Sequence, residues 1–575
     1  MRPRSPLTCM TTFEADAVAP EDESRQKIGS DPPAPRMLDA LGENQTKSER
    51  RSSGRPPGRT HWLSASRNAR GPTARSGRLS LSSNAAFPWR LEALPNKVFI
   101  NNEVVTARSS LASAGTILGE PNIINSAQYI DASNGIIFQL QNPKDGSALP
   151  VKVPVADEVD VDRAVKAAEA ASVTWRKSTA DARRVCMEKL VHLMEGHKDI
   201  LISPDPINHG HANKLAGECH PKKMEDGLLK IVQNEPLGVT AGITAWNGPL
   251  GMAAQKSAPA LATGNCFILK PSEQTPLASL ALGALIKESR FPSGVFQVLS
   301  GNGSTGSLLA EHMRIRKISF TGSTETGRKI QQAAAQSNLK RVTLELGGKS
   351  PGVVFDDANV DNAVFWCMNS ILAITGQACF AASRVYVQEG INEEFRTRYK
   401  TAVEERASLM GDPESPQTML GPVADSLQFD RASGFLVTGK EEGSVLTGGE
   451  AAERPGYYIT PTAFENVDRD ADIIRQEIFG PVAISNIFKD EKEVIDLANN
   501  SEYGRMAGVF TQDVNRALRV TSELDSGNVG INCISMIFTN VPFGGMTSSG
   551  HSRENGKDVL FWYTESKSVF INLMY

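Results

Sequence analysis

Apolar residues recur at helical spacing from residue 159 onward. Val161, Ala164, Val165, Ala168 and Ala171 mark one face, and from about Ala180 a second helix turns Cys186, Leu190, Leu193 and Met194 inward. Further along, the pattern shortens to β-rich runs alternating with helical ones. Residues 239–244, 266–269, 295–299 and 317–320 read as strands, and 276–288 and 326–335 as helices. Strand–helix alternation of this kind predicts a parallel sheet with helices on both faces. The pattern starts again at residues 351–355 and 384–387, which predicts a second α/β domain. Upstream, the run V-F-I-N-N-E-V-V after Lys97 reads as a strand and turn. No internal repeat is present.

A chain of 575 residues is too long for one core, so two or three domains are expected. The formal net charge of -4 argues against a dedicated nucleic-acid or anionic-membrane binder. The seven cysteines are scattered without paired spacing, which suits a reducing compartment. No apolar run reaches the length of a membrane span. His209, His211, Cys219 and His220 lie close in sequence but lack ligand spacing, so no metal site is expected there. Residues 1–95 are rich in Arg, Ser, Pro and Gly without hydrophobic period, the composition of a disordered or non-native extension. Between Arg50 and Leu91 no acidic residue occurs, as in a mitochondrial transit peptide, whereas Glu14, Asp16, Glu21, Asp22 and Glu23 precede it. A cytoplasmic location is expected, with the mitochondrial matrix as alternative.

The densest chemistry lies between Leu344 and Cys379, where L-E-L-G-G-K-S-P precedes G-Q-A-C. A thiol can attack a carbonyl and a carboxylate can activate water, so Cys379 and Glu345 together suit covalent aldehyde oxidation. A lone cysteine is more often a small buried hydrophobe, the fate expected of the other six. Gly322, Ser323 and Gly327 follow the strand K-I-S-F and open a helix, whose free N–H groups favour an anion such as a pyrophosphate. Any glycine-bearing strand–helix turn looks similar, so this loop is weak by itself. K-P-S-E at 270–273 would by itself be a solvated loop, and E-I-F-G-P at 477–481 a turn.

Together, these motifs resemble the aldehyde dehydrogenase superfamily. The resemblance runs from about Lys97 to Leu573 and includes A-W-N-G-P at 245–249, P-F-G-G at 542–545, Ser549–Gly550, Arg553–Glu554 and Y-T-E-S-K-S-V near the end. It implies a Rossmann-type coenzyme domain (96–216 and 235–346), a second α/β catalytic domain (347–557) and a small oligomerisation sheet (217–234 and 558–575), in a homodimer or homotetramer. It further implies that Cys379 attacks a small-molecule aldehyde and that Asn247 and the Cys379 backbone N–H stabilise the oxyanion. Glu345 would then activate the water that releases the acid. Lys256 and Glu565 match residues linked to the family's proton path. Trp246, Lys270, Ser272, Glu273, Gly322, Ser323, Gly327, Glu477 and Phe479 match its cofactor contacts. A carboxylate at Glu273 accepts from ribose hydroxyls and repels a 2′-phosphate, favouring NAD over NADP. Lowering of the thiol pKa is expected from backbone dipoles and the cofactor's positive ring.

Four departures from the family pattern stand out. Residues 106–129 interrupt an otherwise continuous N-terminal block. The stretch 201–213 is short by a helix's worth of chain that would wall the substrate tunnel. Ala245 and Gly248 replace a proline and an aromatic residue, and Ile374 and Ala382 replace an asparagine and a glycine. A catalytically impaired or binding-only member is therefore the alternative to an active enzyme. A cysteine hydrolase would leave Lys270, Glu273 and the 322–327 loop without a role.

Overall fold

The fold is that of a computed structural model describing residues 97–100, 103–106, 128–130, 132–197 and 227–574. The N-terminal extension, most of the 106–129 interruption, the shortened 201–213 stretch and the cluster His209, His211, Cys219 and His220 lie outside the described residues. Strands β1 (Lys97–Ile100), β2 (Glu103–Thr106) and β3 (Gln128–Ile130) form one edge of the first sheet. A hairpin, β4 (Ile137–Gln141) with β5 (Ala148–Pro154), stands apart from it, and β6 (Leu228–Pro236) lies in a separate ribbon. The sheet continues as β7 (Val239–Ile243), β8 (Cys266–Lys270), β9 (Phe296–Val298), β10 (Lys317–Thr321) and β11 (Arg341–Glu345).

Its order is β11-β10-β7-β8-β9-β1-β2-β3, and β7 to β11 run parallel. Every residue of β7, β8 and β10 is buried, as expected where helices cover both faces of a parallel sheet. The order reverses at β7: the chain moves outward through β8 and β9, then returns to place β10 and β11 on the other side. In open α/β sheets such a switch point opens a crevice at the carboxyl ends of the strands.

Flanking helices are where the periodicity put them. Glu158–Trp175 starts at a capping box between Asp157 and Asp160 and buries Val161, Ala164, Val165, Ala168 and Ala171. Thr179 caps Ala180–Gly196, which buries Leu190 and Met194, while Cys186 and Leu193 stay partly exposed against the same core.

The second sheet contains β12 (Pro351–Val354), β13 (Arg384–Gln388), β14 (Ser444–Thr447), β15 (Thr462–Glu465) and β16 (Val482–Phe488). After the short β17 (Tyr503–Gly504) it adds β18 (Ala507–Phe510) and β19 (Val529–Ile531), in the order β14-β15-β16-β13-β12-β18-β19. All of its pairings are parallel except β14 with β15. The residue pair β20 (Met546–Thr547) joins β17, and β21 (Thr564–Asn572) pairs antiparallel with β6 along its whole length. That ribbon exposes apolar side chains, among them Phe570, which is 65% exposed. Among the described residues no helix is long and apolar enough to cross a membrane.

Candidate active site

Glu345 is the last residue of β11, so it lies at the carboxyl edge of the first sheet. Arg505 lies just before β18 of the second sheet, and its Nη1 donates to Glu345 Oε2. Both side chains are 1% exposed. Burial pushes the Glu345 carboxyl up to about 7, with Glu554 adding to the rise and Arg505 and Lys256 opposing it. Glu345 Oε1 has no hydrogen-bond partner, nor has Arg505 Nε. The guanidinium lies over the Phe543 ring, 4.4 Å from its centroid.

Cys379 follows a turn that holds it by backbone constraint. Ile374, Thr375 and Gly376 adopt φ values of 51°, 54° and 74°. Two β-branched residues in the left-handed region are uncommon and strained, and a fixed environment has to hold them. Part of that environment is the chain at Gly480, since a Cβ at Gly376 would lie 2.1 Å from the Gly480 carbonyl carbon. The Gln377 side chain closes the turn, donating to the Ile374 carbonyl and accepting from Ala424 N–H. Asn247, in the loop after β7, donates Nδ2 to the Gln377 carbonyl at 2.7 Å, so the expected oxyanion donor and the nucleophile's turn are joined. Gly348 completes the approach: a Cβ there would lie 2.1 Å from the Cys379 carbonyl oxygen and 2.8 Å from Arg505 Cβ.

Burial raises the Cys379 pKa; Arg505 opposes this by charge and hydrogen bond, while Glu477 and Glu345 reinforce it. Arg505 is thus a side-chain cation that opposes the rise. Of the other cysteines, Cys266 and Cys367 are buried and pushed up to about 12, as inert core thiols.

Lys256 is fully buried in helix Pro249–Ala262 and bonds Glu554 Oε1 at 2.5 Å and Ser319 Oγ at 3.2 Å. Its partner is therefore Glu554, and the expectation of Glu565 is corrected. Glu565 projects from the ribbon strand β21, 64% exposed, and pairs with Arg341 at 2.8 Å. Arg505 escaped the sequence reading altogether. Its signal was an arginine inside the apolar run Y-G-R-M-A-G-V-F that leads into β18.

The expected cofactor residues end or follow three adjacent strands of the first sheet, except Glu477 and Phe479, which precede β16 of the second. At β8, Lys270 Nζ holds Glu273 Oε2 at 3.2 Å, leaving that carboxylate 43% exposed at the crevice. Burial lowers the Lys270 pKa, and Glu273 opposes the change. Ser272 is buried beside them and accepts from Gln274 N–H. At β7, Trp246 meets Phe479 edge-on at 5.3 Å, and Phe479 itself adopts φ 60°. At β10, Ser323 caps helix Thr324–Gln336 and Gly327 packs on Leu346. Gly322 N–H donates to the Glu345 carbonyl at 3.1 Å, tying this loop to the strand of the carboxylate. Glu477 Oε1 accepts from Gly348 N–H at 2.8 Å, and burial pushes its carboxyl up to about 7 against that bond. The hydroxyls of Thr244 and Thr321, at the ends of β7 and β10, are buried without partners. Helix-start donors, an accessible carboxylate and unsatisfied hydroxyls along one crevice fit a dinucleotide.

The Aldehyde dehydrogenase family model matches residues 129–210 and 206–569, two stretches that meet within the segment read as shortened. An aldehyde dehydrogenase of Agaricus bisporus is 41% identical over 475 residues, which cover 78% of this chain and 94% of that protein. Retinal dehydrogenase 2 of Gallus gallus is 39% identical over 511 residues, covering 84% and 93%. The structure of betaine aldehyde dehydrogenase from Staphylococcus aureus in complex with NAD+ superposes with a TM-score of 0.76 at 30% identity, covering 84% of this chain and 96% of that one. The chain therefore belongs to the aldehyde dehydrogenase family, enzymes that oxidise aldehydes.

Proposed function

We propose that this enzyme oxidises a small aldehyde to its carboxylic acid with NAD, through a thiohemiacetal and a thioester on Cys379. The observation that carries this reading is the meeting of Cys379, Glu345 and Asn247 around one strained turn at the carboxyl edge of the first sheet. The Cys379 thiolate bonds to the carbonyl carbon, and the carbonyl electron pair moves onto oxygen. Asn247 carries two N–H donors, of which Gln377 takes one, leaving the other for that oxygen together with the Cys379 backbone N–H. When bound, NAD would supply the hydride acceptor. Glu345 then takes a proton from water, the water oxygen adds to the acyl carbon, and the C–S bond breaks to return the thiolate. Glu554 and Lys256, whose charges act on Glu345, form the path by which that proton leaves.

Lys270, Ser272 and Glu273 would hold the adenosine ribose, Gly322, Ser323 and Gly327 the pyrophosphate, and Glu477, Phe479 and Trp246 the nicotinamide end. Glu273 favours NAD over NADP, because a 2′-phosphate would face its carboxylate. The β6–β21 ribbon supports a homodimer or homotetramer, and the unpaired cysteines suit the cytoplasm, with the mitochondrial matrix as alternative.

Mixing the purified full-length protein with NAD and a panel of aldehydes should produce NADH absorbance, and Cys379→Ala should abolish it. Product release without NADH would indicate a hydrolase, and silence from a folded sample the impaired alternative. NADH formation by Cys379→Ala would remove Cys379 from the mechanism.

A further inference from the structure

We propose that Arg505 is a positioning residue that shares its guanidinium between Glu345 and the Cys379 thiolate, favouring the ionised nucleophile and holding the base in place together. The inference rests on Cys379 and Glu345 being the reacting pair. Geometry carries it. Arg505 is almost wholly buried, bonded to Glu345 Oε2 and clamped over Phe543. Its side-chain stem and the Cys379 backbone converge on Gly348, where the absent Cβ leaves them room. Buried charges are normally saturated with hydrogen bonds, because each missing one is costly in a low-dielectric interior. Here Arg505 Nε and Glu345 Oε1 are both without partners. The pair thus keeps bonding capacity in reserve on the cation and on the base alike.

The charges around Arg505 come from several elements. Glu345 ends β11, Cys379 follows the 374–376 turn, and Glu554 lies in the C-terminal segment. Cys379 also faces Glu477 and Glu345, two carboxylates that disfavour a thiolate. Lys256 faces Glu345, and its bonded partner is Glu554. Without the guanidinium, burial and the carboxylates of Glu477 and Glu345 would act on Cys379 unopposed by Arg505. Arg505 is the cation that offsets them.

The test measures the Cys379 thiolate directly. A thiolate attacks the methylene carbon of iodoacetamide, forming a C–S bond as the C–I bond breaks and iodide leaves, so the alkylation rate follows the ionised fraction. Rates at each cysteine of the full-length protein, followed by mass spectrometry from about pH 6 to about pH 10, give the profile without cofactor. In Arg505→Met and Arg505→Gln the Cys379 profile should move up by about one pH unit, slowing alkylation about tenfold at neutral pH. Arg505→Lys, a shorter point charge, should fall between wild type and Arg505→Gln. Should Arg505→Met fail to fold, the Lys and Gln variants carry the comparison. A role confined to packing would leave the profile of every folded variant unmoved, and that result overturns the proposal. So does wild-type Cys379 reacting no faster at neutral pH than the partly exposed Cys186 and Cys533. A shift in alkylation without NADH formation by any form keeps the arginine–thiolate pairing and removes the dehydrogenase reading.

Discussion

Two ion pairs are buried in this site, Lys256 with Glu554 and Arg505 with Glu345, and their surroundings differ in kind. Lys256 has two partners, Glu554 and Ser319, and Ser319 also reaches Glu554 at 3.4 Å, so the triad is closed. In the Arg505 pair each side chain keeps one buried polar atom without a partner. A closed network rigidifies the fold around it, whereas an open one has unsatisfied groups that a reacting atom or a water can engage. Similar residue types are thus set to different tasks by how completely they are bonded.

Removing the base itself should have the largest effect. Glu345→Gln preserves shape but cannot take a proton from water, and steady-state NADH formation should fall by about 10²–10⁴-fold while the first turnover survives as a burst. A full steady-state rate would show that the open pair contains no base. The same carboxyl sets a pH limb. Its pKa is pushed up to about 7 by burial, and only the deprotonated form is a base. The thioester-hydrolysis rate should therefore be full above that value and fall about tenfold per unit below it. A limb that persists in Glu345→Gln would belong to another group.

The closed pair should respond through stability instead. Lys256→Met strands Glu554 in the interior, so unfolding free energy should drop by about 3–5 kcal/mol in denaturant titration. A variant that is as stable as wild type but slow would show that Lys256 serves the proton path without supporting the fold, and would weaken the contrast. The smallest effect is expected at the turn. Ile374→Asn places a residue tolerant of φ 51° where a β-branched one is strained, and should raise stability by about 1 kcal/mol. An unchanged or lower value would mean that the turn stores no strain at Ile374.

The sheets could be read from the chain because β7, β8 and β10 are buried on every residue, and burial on both faces leaves uninterrupted apolar runs. The proposed nucleophile and base, Cys379 and Glu345, could be picked out because glycine-marked turns frame them at G-Q-A-C and L-E-L-G-G-K. The glutamate that pairs with Lys256 was not. Glu554 and Glu565 are both carboxylates of the C-terminal stretch, and only folding separates a buried one beside Lys256 from an exposed one on β21. Arg505 was missed because its partner lies 160 positions away on the other sheet. A single charge in an apolar run signals that it must be compensated, without saying by what.

The Arg505–Glu345 contact has a mechanical consequence. Glu345 ends a strand of the first sheet and Arg505 leads into a strand of the second, so the contact rivets the two sheets at the proposed reaction centre. Separating the sheets breaks the reaction centre, and whatever occupies that centre fastens the sheets. Heat should therefore extinguish turnover and melt both sheets in one step, and substrate should raise the temperature of both events together.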